Sequence, residues 1–181
     1  MSKIKVLLLR GVNVSGANRL PMPEFRQMLL ELGLAQIHTH IQSGNAVVVD
    51  PAVADLQDNI TAAMKDRFGF APAQFLMDLA EFDAIVAANP YAKQAAVDGS
   101  KVHIYFLAGP VPAAQISALT SLAKDGEALA QTDRALYLLA PNGLNRSALA
   151  AKLETGITLA KTERNVTSAH AIAALARTIT L

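Results

Sequence analysis

The sequence contains no cysteine and no tryptophan. Without cysteine there can be no disulfide, no thiolate nucleophile and no thiolate metal site, and a reducing compartment fits such a chain. Without tryptophan, intrinsic fluorescence rests on three tyrosines. Charge is scarce as well. Charged residues make up 17%, and sixteen basic against fifteen acidic residues leave a net charge of +1. The cationic excess of a polyanion binder is therefore missing, which argues against nucleic acid as a partner. Long apolar runs are also missing. In the opening MSKIKVLLLR, Lys3 and Lys5 interrupt the apolar stretch, leaving only Val6 to Leu9. A secretory signal needs an apolar region of about 7–15 residues, and a membrane helix needs about 20. The expectation is a cytoplasmic chain, with no membrane span, that begins on a buried strand.

What is present is apolar material in periodic order. Hydrophobic residues are 52% of 181, and folding a chain of this length hides roughly 70% of its surface. That is enough for one ordinary domain or two small ones. Ile4 to Leu9 reads as a strand buried on both faces. Pro23 suits a helix first turn, Phe25, Met28, Leu29 and Leu32 share one helical stripe, and Gly33 stops it. Ile37–Ile41 and Asn45–Val49 read as strands around a Ser43-Gly44 turn. Leu56, Ile60, Met64 and Phe68 mark a second helix, and Gln74–Met77 a fourth strand. A trailing helix ends at Asn89-Pro90. The polar, small-residue stretch 91–101 reads as a linker, and the order then repeats over 102–181 with a different ending.

The order βαββαβ belongs to ferredoxin-like folds. The expected fold class is thus α+β, with two ferredoxin-like subdomains packed together, 1–90 and 102–181. In that topology the first and third strands lie side by side and antiparallel. The loops around Arg10–Asn18 and Gln42–Asn45 should then meet at one edge.

Those loops hold the candidate binding residues. Arg10 to Asn18 is polar, contains glycine and follows a strand, a setting that exposes backbone N–H groups to anions. Gly11 and Gly16 match half of a phosphate-binding loop, but Ala17 and Asn18 stand where its lysine and hydroxyl belong, which argues against a nucleoside triphosphatase. Ser43 has His40 nearby and no acid to orient it, so a nucleophilic role finds no support. In the segment 161–167, Glu163 is the best general acid or base candidate, while Asn165 or Thr167 could simply cap the helix that follows. His38 and His40 share one side of a strand, and two imidazoles fall short of a zinc site. Tyr105 and Tyr137 fall on central strands, each opposite the more apolar face, and their plain reading is at an interface between the halves.

Three motifs carry a resemblance. Leu9 to Asn18 reads LRGVNVSGAN, Ile41 to Ala46 reads IQSGNA, and Thr162 to Thr167 reads TERNVT. With Asn89-Pro90-Tyr91, they resemble, in the same order along nearly the whole chain, the bacterial family catalogued as domain of unknown function 1697. Its members read L-R-G-I-N-V-G-G-K-N, I-Q-S-G-N-V, T-x-R-N-W-x-T and N-P-F or N-P-Y at these places. The resemblance implies two ferredoxin-like subdomains and brings no activity. Ala17 replaces a frequent lysine, and Val166 a tryptophan, which removes a cationic and a stacking group.

The motif positions keep neutral amides, hydroxyls and two arginines, a set suited to binding and without an obvious acid–base pair. The expectation is a small-molecule or anion-binding protein with Arg10, Asn13, Asn18, Gln42, Ser43, Asn45, Arg164 and Asn165 as ligand-binding residues. An enzyme acting on a phosphorylated or carboxylated metabolite is included in that reading. No cofactor and no metal is called for. The alternative is a non-catalytic interaction or assembly module, with nucleic-acid binding through the sheet as the weakest reading.

Overall fold

The computed structural model describes residues 3–14 and 16–180; Ser15, inside the first candidate loop, and the terminal Met1, Ser2 and Leu181 lie outside the described residues. The chain is α+β, with two four-stranded antiparallel sheets and helices. It divides into two compact units, one of Met1–Asp83 with Ala171–Leu181, the other of Ala84–His170.

In the first unit β1 (Lys3–Leu9), β2 (Ala35–His40), β3 (Asn45–Asp50) and β4 (Gln74–Asp78) form a sheet of order β2-β3-β1-β4. β1 pairs with β3 over Lys3↔Asp50 to Leu8↔Asn45, and with β4 over Lys5↔Asp78 to Leu9↔Gln74. Alternation sends Leu7 and Leu9 of β1 and Ala46 and Val48 of β3 to one face. There they meet Phe25, Met28 and Leu29 of α1 (Met22–Glu31) and Leu56, Ile60 and Met64 of α2 (Leu56–Phe68). Val6, Leu8, Val47, Val49, Phe75 and Met77 occupy the opposite face and are buried too. That double burial is why β1 and β3 are apolar without alternation. Pro23 sits in the first turn of α1, and Gly69, at φ +77°, closes α2 with its N–H on Lys65 O.

The second unit repeats the strand order. β5 (Val102–Leu107), β6 (Ala128–Gln131), β7 (Ala135–Leu139) and β8 (Lys161–Asn165) are ordered β6-β7-β5-β8. Tyr105, Leu107, Leu136 and Leu138 pack with Ile116 and Leu119 of a helix (Ala113–Thr120) and with Leu149 and Leu153 of another (Ala148–Gly156). The remaining helices are α3 (Leu79–Ala87), α4 (Ala92–Val97) and, counting the two just named as α5 and α6, α7 (Val166–Ala176). The unit boundaries fall within α3 and α7. Asn89 ends α3 by accepting the Tyr91 N–H at 3.0 Å.

Several elements differ from the sequence reading. The stretch 91–101, expected as a linker, holds α4 and a 3-10 turn. Tyr105 does not lie where the sequence reading placed it, and Tyr137 does lie opposite the more apolar face of its strand. Tyr105 belongs to the helix-covered core, whereas Tyr137, opposite Ile104, points to the other face and donates its hydroxyl to Ile85 O at 2.7 Å. Each phenol follows the parity of its own strand, so two tyrosines on neighbouring strands take opposite faces when their registers differ by one residue. The strand expected over Thr158–Thr162 is instead β8, three residues later. Its sequence, KTERN, hides the strand because its buried polar groups are satisfied by partners rather than replaced by apolar ones.

At the β1–β4 edge, Lys3 Nζ lies 2.6 Å from Asp78 Oδ2 and Lys5 Nζ 2.9 Å from Oδ1. These ammonium groups, Lys3 foremost, hold the Asp78 carboxyl below its ordinary value of 3.8. A carboxyl depressed in the folded state stabilises above its unfolded value and loses that contribution as pH falls through the folded value. The Tm advantage of wild type over Asp78→Asn should therefore be present at neutral pH and vanish on acidification below about 3.8. A gap unchanged down to pH ~2 would contradict the pairing.

Candidate functional site

Because β1 and β3 are neighbours, the end of one adjoins the start of the other. Leu8 lies opposite Asn45, and the Leu9 N–H donates to Gly44 O at 2.9 Å. The chain leaving β1 then folds around Asn13. The Asn13 backbone N–H donates to Asn18 O at 3.1 Å. Its side-chain oxygen accepts from the Leu20 N–H at 2.8 Å, and its amide nitrogen donates to Leu20 O at 2.9 Å and to Gln42 O at 2.7 Å. One side chain thus uses both amide hydrogens, and ties the loop 10–18 to the turn 41–44. Asn18 Nδ2 donates to Gly11 O at 3.0 Å, and the buried Asn45 donates to His40 O at 3.1 Å. Asn13 and Asn18 both have positive φ, +55° and +49°, which asparagine tolerates better than most residues.

Gly44 makes the contact between the loops intimate. Its φ is +70°, and a Cβ there would fall 2.6 Å from Val12 Cγ2 and 2.8 Å from Leu9 Cβ. Outside this tied frame, Arg10 and Gln42 are exposed and Ser43 is half-buried. Val14 and Ile41 are also turned outward, 57% and 51% exposed. Ile41 has φ +50°, a conformation strained for a β-branched residue. Strain of this kind persists only where the surroundings hold it, and it concentrates at ligand clamps and switches. The loop cluster therefore combines a cation, amide and hydroxyl groups and two outward apolar side chains on a fixed backbone.

The third segment belongs to the other unit and is not a loop. β8 alternates, so Lys161, Glu163 and Asn165 take one face and Thr162 and Arg164 the other. Arg164 is 8% exposed, and its guanidinium donates to Thr162 Oγ1 at 3.0 Å and Glu163 O at 2.5 Å. Burial pushes it down to about 10, against the opposing pull of the Glu163 charge. Asn165 caps α7, accepting the Ser168 N–H at 2.8 Å. Lys161 is buried and donates to Glu154 O and Ile157 O at 3.0 and 2.8 Å. The carboxylate of Glu163, the sequence's acid–base candidate, lies 2.6 Å from His103 Nδ1. The sequence reading missed His103 in this role. The signal was available in the alternation of β5, which sets His103 and Tyr105 on the Glu163 side of the sheet.

Two substitutions separate the frame from the surface. Gly44→Ala adds a left-handed penalty of about 1–2 kcal/mol to overpacking of about 1–3 kcal/mol. Gly11→Ala, with nothing within 4 Å of its Cβ, meets only the first. Thermal unfolding should place Gly44→Ala several degrees below Gly11→Ala, at roughly 2–4 °C per kcal/mol; equal Tm values would contradict the close contact. Asn13→Ala should cost about 2–4 kcal/mol through lost hydrogen bonds and speed exchange of the Leu20 amide. An unchanged exchange rate there would show that Asn13 is not the tie.

Comparison with known proteins places the fold. The solved structure of a conserved bacterial protein from Streptococcus pneumoniae is similar, with a TM-score of 0.77 at 23% identity, covering 97% of this chain and 99% of that one. No curated protein matches the chain. Residues 1–137, which include both loops of the cluster around Asn13, match the family described as a protein of unknown function, DUF1697, and the chain belongs to that family.

Proposed function

We propose that the chain binds a small anionic metabolite, phosphorylated or carboxylated, on the loop face of its first unit. The observation that carries this reading is the Asn13 amide, which bonds Leu20 O and Gln42 O together and fixes two loops against each other. The fixed frame keeps Arg10 and Gln42 exposed beside the half-buried Ser43. A guanidinium on a rigid backbone matches carboxylate or phosphate oxygens two at a time, and rigidity lowers the ordering cost of binding. Asn13, Asn18 and Asn45 hold the frame, while Arg10, Gln42 and Ser43 face the ligand. Arg164 and Asn165 belong to the second unit, and their geometry there supports a structural role.

The βαββαβ order and the strand order β2-β3-β1-β4 support reading each unit as a ferredoxin-like subdomain. The cysteine-free composition supports a cytoplasmic setting. The outward Val14 and Ile41 also suit an apolar partner surface, which favours an interaction module as the second reading.

Thermal shift separates them. Wild type and Arg10→Ala should be screened against inorganic phosphate, sugar phosphates, nucleotides and carboxylates. A ligand at about a hundred times its Kd adds roughly 2.7 kcal/mol, or on the order of 5–10 °C here. The expected result is a shift in wild type that is lost in Arg10→Ala. No shift with any anion, or one that survives the substitution, would overturn the anion site.

A further inference from the structure

The anion reading leaves two side chains of the loop face unused. Among the described residues, the exposed large apolar side chains are Val14, Leu30, Ile41, Val97 and Leu122. Val14 and Ile41 are the chain neighbours of Asn13 and Gln42, whose bond at 2.7 Å joins the two loops. The others lie elsewhere in the chain: Leu30 on α1, Val97 on α4 and Leu122 after α5. A single apolar side chain on a surface is ordinary. A pair that flanks one bond between loops distant in sequence is brought together by the fold.

Both members of the pair are held in place. Val14 is bridged to Ala17, whose N–H donates to Val14 O at 3.0 Å. Ile41 is held from both sides, because Asn45 Nδ2 bonds His40 O at 3.1 Å and Asn13 Nδ2 bonds Gln42 O. These bonds keep Ile41 at φ +50°, where glycine or asparagine would be less strained. Charge at the same junction has one sign. Segments 10–20 and 41–46 contain Arg10 and Arg19, both exposed, and no acidic residue. Arg10 follows Leu9, whose N–H is bonded to Gly44 O at 2.9 Å, so its backbone stands where the loops meet.

We propose that the anion received by this face carries a short aliphatic tail, which lies against Val14 and Ile41 while Arg10 holds the charged end. The proposal rests on the anion reading of this site and adds the chemical class of the ligand, an amphipathic anion rather than inorganic phosphate or a sugar phosphate. The positive charge of the loops fits the head, and the apolar pair fits the tail. Two side chains suit a tail of a few carbons. They fall far short of what a stable protein partner needs, roughly 800 Å² on each side.

Amide chemical-shift titration of the full chain with acetate, butanoate, hexanoate, inorganic phosphate and butylamine tests this. The Kd should fall roughly two- to fourfold for each methylene added from acetate to hexanoate, with the shifts on residues 10–18 and 41–45. Butylamine, with a similar tail and the opposite charge, should not bind there. Ile41→Asn, which accepts the left-handed backbone, and Val14→Ser should each reduce the gain per methylene, with circular dichroism unchanged. Leu30→Ser, on α1, should keep it. Equal Kd values for acetate, phosphate and hexanoate would overturn the tail and leave the anion reading standing. So would a gain that survives both Ile41→Asn and Val14→Ser. No binding of any anion would overturn both readings. Butylamine binding as tightly as butanoate would overturn the proposal in favour of an apolar partner surface, as would self-association of wild type that Ile41→Asn abolishes.

Discussion

The antiparallel ladder between β1 and β3 is the contact on which the candidate anion site depends. These strands are separated in sequence by α1 and β2, so their pairing is a long-range event that only a buried, well-matched ladder sustains. Once Leu8 stands opposite Asn45, geometry brings the exit of one strand to the start of the other. Two loops that are distant in sequence then share a few ångströms of space. Everything observed there follows from that nearness: a glycine at Gly44 because Val12 and Leu9 crowd it, and an asparagine at Asn13 because its amide can bond both segments at once.

The second sheet has the same strand order but places its polar residues on the edge strand β8. Along β8 charged residues point into both faces, and each is met by a partner. Lys161 is given carbonyl oxygens, Arg164 a hydroxyl and a carbonyl, Glu163 an imidazole. A buried charge is tolerable on such terms and ruinous without them. One architecture thus carries a frame of neutral amides in one unit and a network of charged groups in the other.

Much of the architecture was legible in the sequence. The apolar runs of β1, β3 and β5 and the four-residue spacing in α2 follow directly from burial, which is a property of single residues in order. The meeting of the two loops was legible as well, because strand order implies it. What escaped were features set by partners from elsewhere in the chain. KTERN looks like a solvated loop until Glu154 O, Ile157 O and His103 are placed around it. Asn13, Asn45 and Asn165 look like ligand groups, yet each bonds backbone atoms nearby, because an asparagine amide serves either purpose equally well. The cleft beside α6, lined by Tyr105, by residues of 144–154 and by Glu163, could not be read at all, since its lining comes from three separate stretches of sequence.

The central claim is that one rigid face, built from two loops by a single strand pairing, receives the anion. Amide chemical-shift mapping during titration with inorganic phosphate addresses it residue by residue. The account predicts that the largest shifts fall together on residues 10–18 and 41–45 and follow one binding curve. Shifts confined to one of these segments, or centred on another part of the chain, would contradict it.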